Sequence, residues 1–128
     1  MSLIEVPVSV GELVDKVTIL RIKRENIKDD SKQQNILKEL SALEERCEVH
    51  SIDLQTPLVQ QLYEVNSRLW QIEDDIRDCE RAKDFGPRFV DLARSVYVTN
   101  DQRFDLKAKL NAQFGSQLRE EKSYQPYQ

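Results

Sequence analysis

Residues 57–83 read PLVQQLYEVNSRLWQIEDDIRDCERAK, and the fold follows from this stretch. Leu58, Leu62, Val65, Leu69, Ile72, Ile76 and Cys79 alternate spacings of four and three, which lines them up on one side of an α-helix. A seam of that length has to be covered by another helix, so a packed helical hairpin or coiled coil is required. Thr56 followed by Pro57 marks the start, because proline at the first helical position lacks an amide that would otherwise go unpaired. The expected helix runs from Pro57 to Lys83.

Downstream, Gly86 and Pro87 read as a turn with a restart, and Gly115 as a C-terminal cap. Between them a fourth helix, Pro87 to Phe114, keeps the seam register through Phe85, Phe89, Leu92, Val96, Leu106 and Leu110. Thr99 and Arg103 occupy two steps of that ladder and are costly if buried. Thr99 and Asn100 also have the chemistry to cap a restarted helix. Upstream, Ser9 with Glu12 and Ser31 with Gln34 have the spacing of capping boxes. They predict helices over Val10 to Lys28 and Lys32 to Val49. The first is apolar around much of its girth (Val10, Leu13, Val14, Val17, Ile19, Leu20), which predicts cover on more than one side. The second has one narrow stripe: Ile36, Leu40, Leu43, Cys47. The expected fold is a single all-α domain over residues 1–128, an antiparallel bundle of four main helices. An extended arm (1–9) precedes it and a tail (116–128) folds back on it.

Composition narrows the function. Charged residues make up 33% of the 128-residue chain and the net charge is -4, so no field gathers polyanions and nucleic acid is not an expected partner. Three glycines cannot build a P-loop or a dinucleotide fingerprint. His50 as the sole histidine, with Cys47 and Cys79 far apart, excludes the common zinc sites, and no metal or cofactor is expected. Both cysteines fall on apolar stripes, as reduced, buried thiols would. No apolar run approaches membrane-spanning length and no leader pattern opens the chain, so a cytoplasmic protein is expected. Glu44, Glu45 and Glu48 followed by Asp75 and Asp78 look like paired acidic magnesium motifs. The turn near residue 53 leaves the two sets roughly 25 Å apart at 1.5 Å per residue, too far to share an ion within one protomer. Arg21, Lys23 and Arg24 match a chorismate-mutase-like cation cluster only weakly.

One position round from the main seam runs a second stripe, Val59, Tyr63, Asn66, Trp70, Glu73 and Arg77. Thirty-four residues on, Ala93, Tyr97, Asn100, Phe104, Lys107 and Asn111 hold the corresponding register, so the two long helices look like an internal repeat. Folding them back about Gly86 gathers Trp70, Glu73, Asp74, Arg77, Arg94, Tyr97, Asn100 and Arg103 into one region. Aromatic walls with convergent polar groups suit a small anionic ligand, and a solvated charged face explains the same residues.

The blocks VPVSVGELVDKVTILRIKR, VNSRLWQIEDDIR, LARSVYVTNDQRFDLKAKLN and GSQLREEKSY, in this order and spacing, resemble an uncharacterised family of short bacterial and phage proteins, a domain of unknown function. The resemblance runs from Ile4 to Tyr124. It picks out Asn66, Trp70, Glu73, Asp74 and Arg77, then Arg94, Tyr97, Asn100, Asp101 and Arg103, then Glu120, Glu121, Lys122, Ser123 and Tyr124. Phe104 departs from it, a small residue being usual there. Members look to be encoded often beside glycosyltransferase and surface-polysaccharide genes, which implies a neighbourhood and no activity. In the tail, Glu120 or Glu121 is expected near Arg77, Arg94 or Arg103, with Lys122 in the same block and Tyr124 packed on an apolar wall. The apolar first and third helices predict a homodimer, and a helical interaction or accessory protein is the expected class. The alternative is an enzyme or binding protein for a sugar nucleotide, phosphate or carboxylate.

Overall fold

A computed structural model describes residues 3–127, with four helices in the order α1 (Val10–Asn26), α2 (Asp30–Val49), α3 (Pro57–Ala82) and α4 (Pro87–Gln113). Among the described residues there is no strand, and the chain is all-α. No described helix is long and apolar enough to cross a membrane.

Helix α1 is the hub. It packs on α2, α3 and α4, whereas α2 touches α1 alone and α3 pairs with α4. That explains the apolar girth of α1: Val14, Val17, Leu20 and Ile22 are all buried. Its direction can be read from its contacts. Gly11 lies against Lys107 and Asn111 of α4, Asp15 meets Asn66 and Arg103, and the Glu25 carboxylate accepts from Tyr63 Oη at 2.6 Å. Helix α1 therefore crosses the base of the α3/α4 hairpin instead of running along it. The core follows this crossing, with Val59, Leu62 and Val65 of α3 and Leu106 and Leu110 of α4 closing on α1, and Ile36, Leu40 and Cys47 of α2 covering its other side. Burial pushes the Cys47 thiol up to about 11, so it is a packing group and a poor nucleophile.

Between Asn66 and Thr99 only Cys79 is buried. Leu69, Ile72, Ile76, Phe89, Leu92 and Val96 pair within the hairpin but stay half-buried, because no third helix reaches them. The outer hairpin is an arm of about 24 Å at 1.5 Å per residue.

Several helix ends differ from the sequence reading. The cap of α2 is Asp29, whose carboxylate accepts from Lys32 N at 3.0 Å, and not Ser31. Gln33 donates its side-chain amide to the Arg24 carbonyl at 2.7 Å and to that of Ile27, closing the α1–α2 turn. Ser9 does cap α1, accepting from Glu12 N at 3.1 Å, but the Glu12 side chain turns away to Lys107. Thr56 makes no side-chain cap, and its buried hydroxyl has no partner among the described residues. Helix α3 ends on Lys83 in the left-handed region (φ 54), with Asp84 N reaching the Cys79 carbonyl at 2.9 Å; Gly86 is the extended residue before α4. Helix α4 runs unbroken through Thr99 and Asn100.

Candidate functional site

The polar centre of the molecule starts from a glycine. A Cβ on Gly11 would stand 2.5 Å from the Lys107 carbonyl oxygen, so only glycine lets the first turn of α1 lie directly on the α4 backbone. That contact satisfies the start of α1. Gly11 N donates to Asn111 Oδ1 at 2.6 Å and Val10 N to Ser116 Oγ at 3.1 Å, which with the Ser9 cap leaves no free amide there for an anion.

One turn on from Gly11, the close approach carries Asp15 into the interface, where it is 1% exposed. Its carboxylate accepts from Arg103 at both oxygens, Nε to Oδ1 at 2.9 Å and Nη2 to Oδ2 at 2.5 Å. Asn66 Nδ2 donates to Asp15 Oδ1 and to Thr18 Oγ1, both at 2.9 Å, and Thr18 in turn donates to the Asp15 carbonyl at 2.8 Å. A buried carboxylate is tolerated only when its lone pairs are filled in this way. The hydrogen bond to Asp15 is also the main reason the Arg103 guanidinium is held above its ordinary range, against the opposing effect of burial. The polar step that Arg103 makes in the α4 ladder is thus the partner of a buried acid.

Next along α4, Lys107 is itself buried, and its ammonium lies 2.9 Å from Glu12 and 2.8 Å from Glu120 of the tail. Burial alone would lower its pKa, but hydrogen bonds to Glu120 and Glu12 outweigh this and raise it. The tail reaches Glu120 because Gly115 (φ 63) turns the chain and Ser116 N bonds back to the Asn111 carbonyl at 2.8 Å. It then runs back along α4. Lys122 meets Asp101 at 2.5 Å and stands 5.2 Å from the centre of the Phe104 ring, while Tyr127 packs edge-on against Tyr97 at 5.2 Å. The hydrogen bond from Lys122 lowers the Asp101 pKa.

Between α4 and the tail lies an open cleft of about 620 Å³. Asn100 and Arg103 line it together with Glu120, Glu121, Lys122 and Tyr124. A second hollow of about 420 Å³ adjoins it beneath Tyr97 and Tyr127. The remaining residues of the sequence-derived cluster sit elsewhere. Trp70 is half-buried on α3, Glu73 and Arg77 form an exposed pair one turn apart, and Asp74 and Arg94 enter no ion pair among the described residues. Of the three arginines expected near the tail acids, Arg103 lines the cleft with Glu120 and Glu121, while Glu120 pairs with Lys107 and not with Arg77 or Arg94, because the tail runs back along α4 only as far as Tyr97. Tyr124 is 83% exposed, so it lies on no apolar wall; its ring faces the Lys122 ammonium at 5.5 Å.

Asp15 and Thr18 have no place in the sequence-derived cluster, and in the sequence Glu12 reads only as a capping partner of Ser9, not as a partner of Lys107. The available signal was Asp15 and Thr18 set among the apolar residues Val14, Val17 and Ile22 one turn on from Gly11, with a charged step at Arg103 needing a partner. Glu44 of the acidic motif pairs instead with Arg21 at 2.7 Å, and no metal-holding cluster of His, Cys, Asp and Glu occurs among the described residues. No curated protein and no solved structure matches the chain. A family profile matches residues 4–127, nearly the whole chain including the tail, and on that match the protein belongs to the family of unknown function DUF6165.

Proposed function

We propose that this is a small cytoplasmic helical interaction or accessory protein of bacterial or phage origin that self-associates as a homodimer through the α3/α4 arm. The observation that carries this reading is the uncovered seam: beyond α1 the arm's apolar ladder is half-exposed, and Phe85 and Val90 near its tip are 52% and 49% exposed. A two-helix hairpin has only one mutual seam to bury, and an apolar strip of this kind is a usual mark of an association surface. Two arms packed about a two-fold axis would cover each other's seams in a four-helix arrangement, the self-complementary geometry of most homodimers. The first helix, which the sequence offers as another association surface, is taken up by its three neighbours.

Light scattering coupled to gel filtration tests this. The wild-type chain should elute with the mass of a dimer, and the double variant Phe85→Asp, Val90→Asp with that of a monomer of unchanged helicity. A wild-type monomer at high micromolar concentration overturns the proposal.

A further inference from the structure

The α4–tail cleft holds donors that the fold does not use, and this observation is independent of the arm. Arg103 gives Nε and Nη2 to Asp15, while its Nη1 makes no hydrogen bond among the described residues and its side chain is 30% exposed at the cleft. The guanidinium is therefore clamped along one edge by a buried acid that Asn66 and Thr18 immobilise, with its other edge available. Asn100, one turn earlier, lines the same cleft, and its amide has no partner among the described residues. Lys107, one turn later, uses two of the three N–H groups of an ammonium. Positions 100, 103 and 107 share one face of α4, so these donors form a single stripe. The Phe104 ring flanks it.

We propose that Asn100, Arg103 and Lys107 form an oxyanion seat for a small molecule carrying a carboxylate or phosphate on a flat apolar body, and that the tail's Glu120 carboxylate occupies part of this seat until displaced. The occupant already present identifies the chemistry: an oxyanion 2.8 Å from Lys107. Of the acids lining the cleft, Glu12 is paired with Lys107, and Glu120 and Glu121 belong to the tail and leave with it; Asp15, buried behind Arg103, is paired with that guanidinium. Exchange of Glu120 for a ligand carboxylate thus leaves the charge of the seat unchanged. The flat body takes the face of Phe104 over which the Lys122 ammonium now sits. The cleft volume lies within the usual range for small-molecule sites, about 300–1,000 Å³.

The test is a titration of the full-length ¹⁵N-labelled chain with benzoate, phenyl phosphate and benzamide, following the Asn100 side-chain amide and the Arg103 Nε–H signals. Both anions should shift these signals saturably, the tighter one naming the preferred headgroup, and neutral benzamide should not. Glu120→Gln removes the internal competitor and should tighten anion binding about fivefold, while Asn100→Ala should weaken it by a similar factor. Arg103→Ala is unsuitable because it strands Asp15, whereas both chosen variants leave that pair intact. The proposal is overturned if benzamide behaves like the anions, if Glu120→Gln leaves the affinity unchanged, or if neither anion shifts the signals in Glu120→Gln at about 10 mM.

Discussion

The base of the α3/α4 hairpin and its outer arm are written in the same heptad pattern, yet they differ in what covers them. At the base, Leu62 and Leu110 are fully buried beneath α1, and even the polar residues at the contact, Asp15, Asn66 and Lys107, are closed off from water. In the arm, Ile72, Ile76 and Leu92 hold equivalent seam positions and remain half-buried. A heptad ladder therefore specifies that two helices pair but not how deeply the pair is buried; a third element sets that. The crossing of α1 thus divides one hairpin into a core and a projecting surface. The polar residues divide with it, fixed by partners at the base and solvated along the arm.

The largest expected effect breaks the polar half of this contrast. Arg103→Ala leaves the buried Asp15 carboxylate without its bidentate partner, and loss of one member of a buried pair typically costs about 3–5 kcal/mol. Arg77→Ala, in the exposed arm pair with Glu73, should cost less than about 0.5 kcal/mol. Urea unfolding of both variants measures the difference. Equal midpoints would mean that the Asp15 network is not a determinant of stability.

The apolar half can be sharpened in the same way. Leu62→Ala at the base should lose about 2–5 kcal/mol, as expected for emptying a fully buried leucine site. Ile72→Ala in the arm should lose less, about 1–2 kcal/mol in dilute protein, since its side chain is only partly buried. If arms pair, the cost of Ile72→Ala rises with protein concentration while that of Leu62→Ala does so much less. Thermal melts across a concentration series distinguish an arm buried by a second copy from one that stays open.

The sequence disclosed features that are local and concealed those that depend on a crossing angle. The α3 seam, the Ser9 cap and the Gly115 turn are each settled by neighbours within a turn or two, so spacing alone locates them. Arg103 was visible as a misfit in the α4 ladder. Its partner was not, because Asp15 could as easily face solvent until Gly11 is seen to bring the two backbones together. The grouping of Arg77, Arg94 and Asp74 with Asn100 and Arg103 assumed that one register about Gly86 makes one site. The site residues that do meet are selected by α1, which lies on the base, and by the tail, which runs along α4 as far as Tyr97. Lys83 shows a related limit: Gly86 and Pro87 mark the turn in the sequence, but the left-handed residue that ends α3 is a lysine and Gly86 stays extended.

The smallest expected effect concerns how far the tail belongs to the base. Glu120 is half-exposed, so its pair with Lys107 is screened, and Glu120→Gln should lower stability at pH 7 by no more than about 1 kcal/mol. Its pH dependence is more informative than its size. Folding raises the Lys107 pKa because the Glu120 and Glu12 hydrogen bonds overcome the effect of burial. A group raised on folding stabilises fully below its unfolded value, here 10.5, and the contribution disappears as pH climbs through the higher folded value. The gap between wild type and Glu120→Gln should therefore be constant through neutral pH, shrink above about pH 10.5 and close once Lys107 is neutral. Other alkaline titrations affect both proteins alike and cancel in the difference. Urea midpoints between pH 7 and strongly alkaline pH supply the curve. A gap that persists after Lys107 has lost its proton would show that Glu120 holds the tail by some contact other than this ion pair.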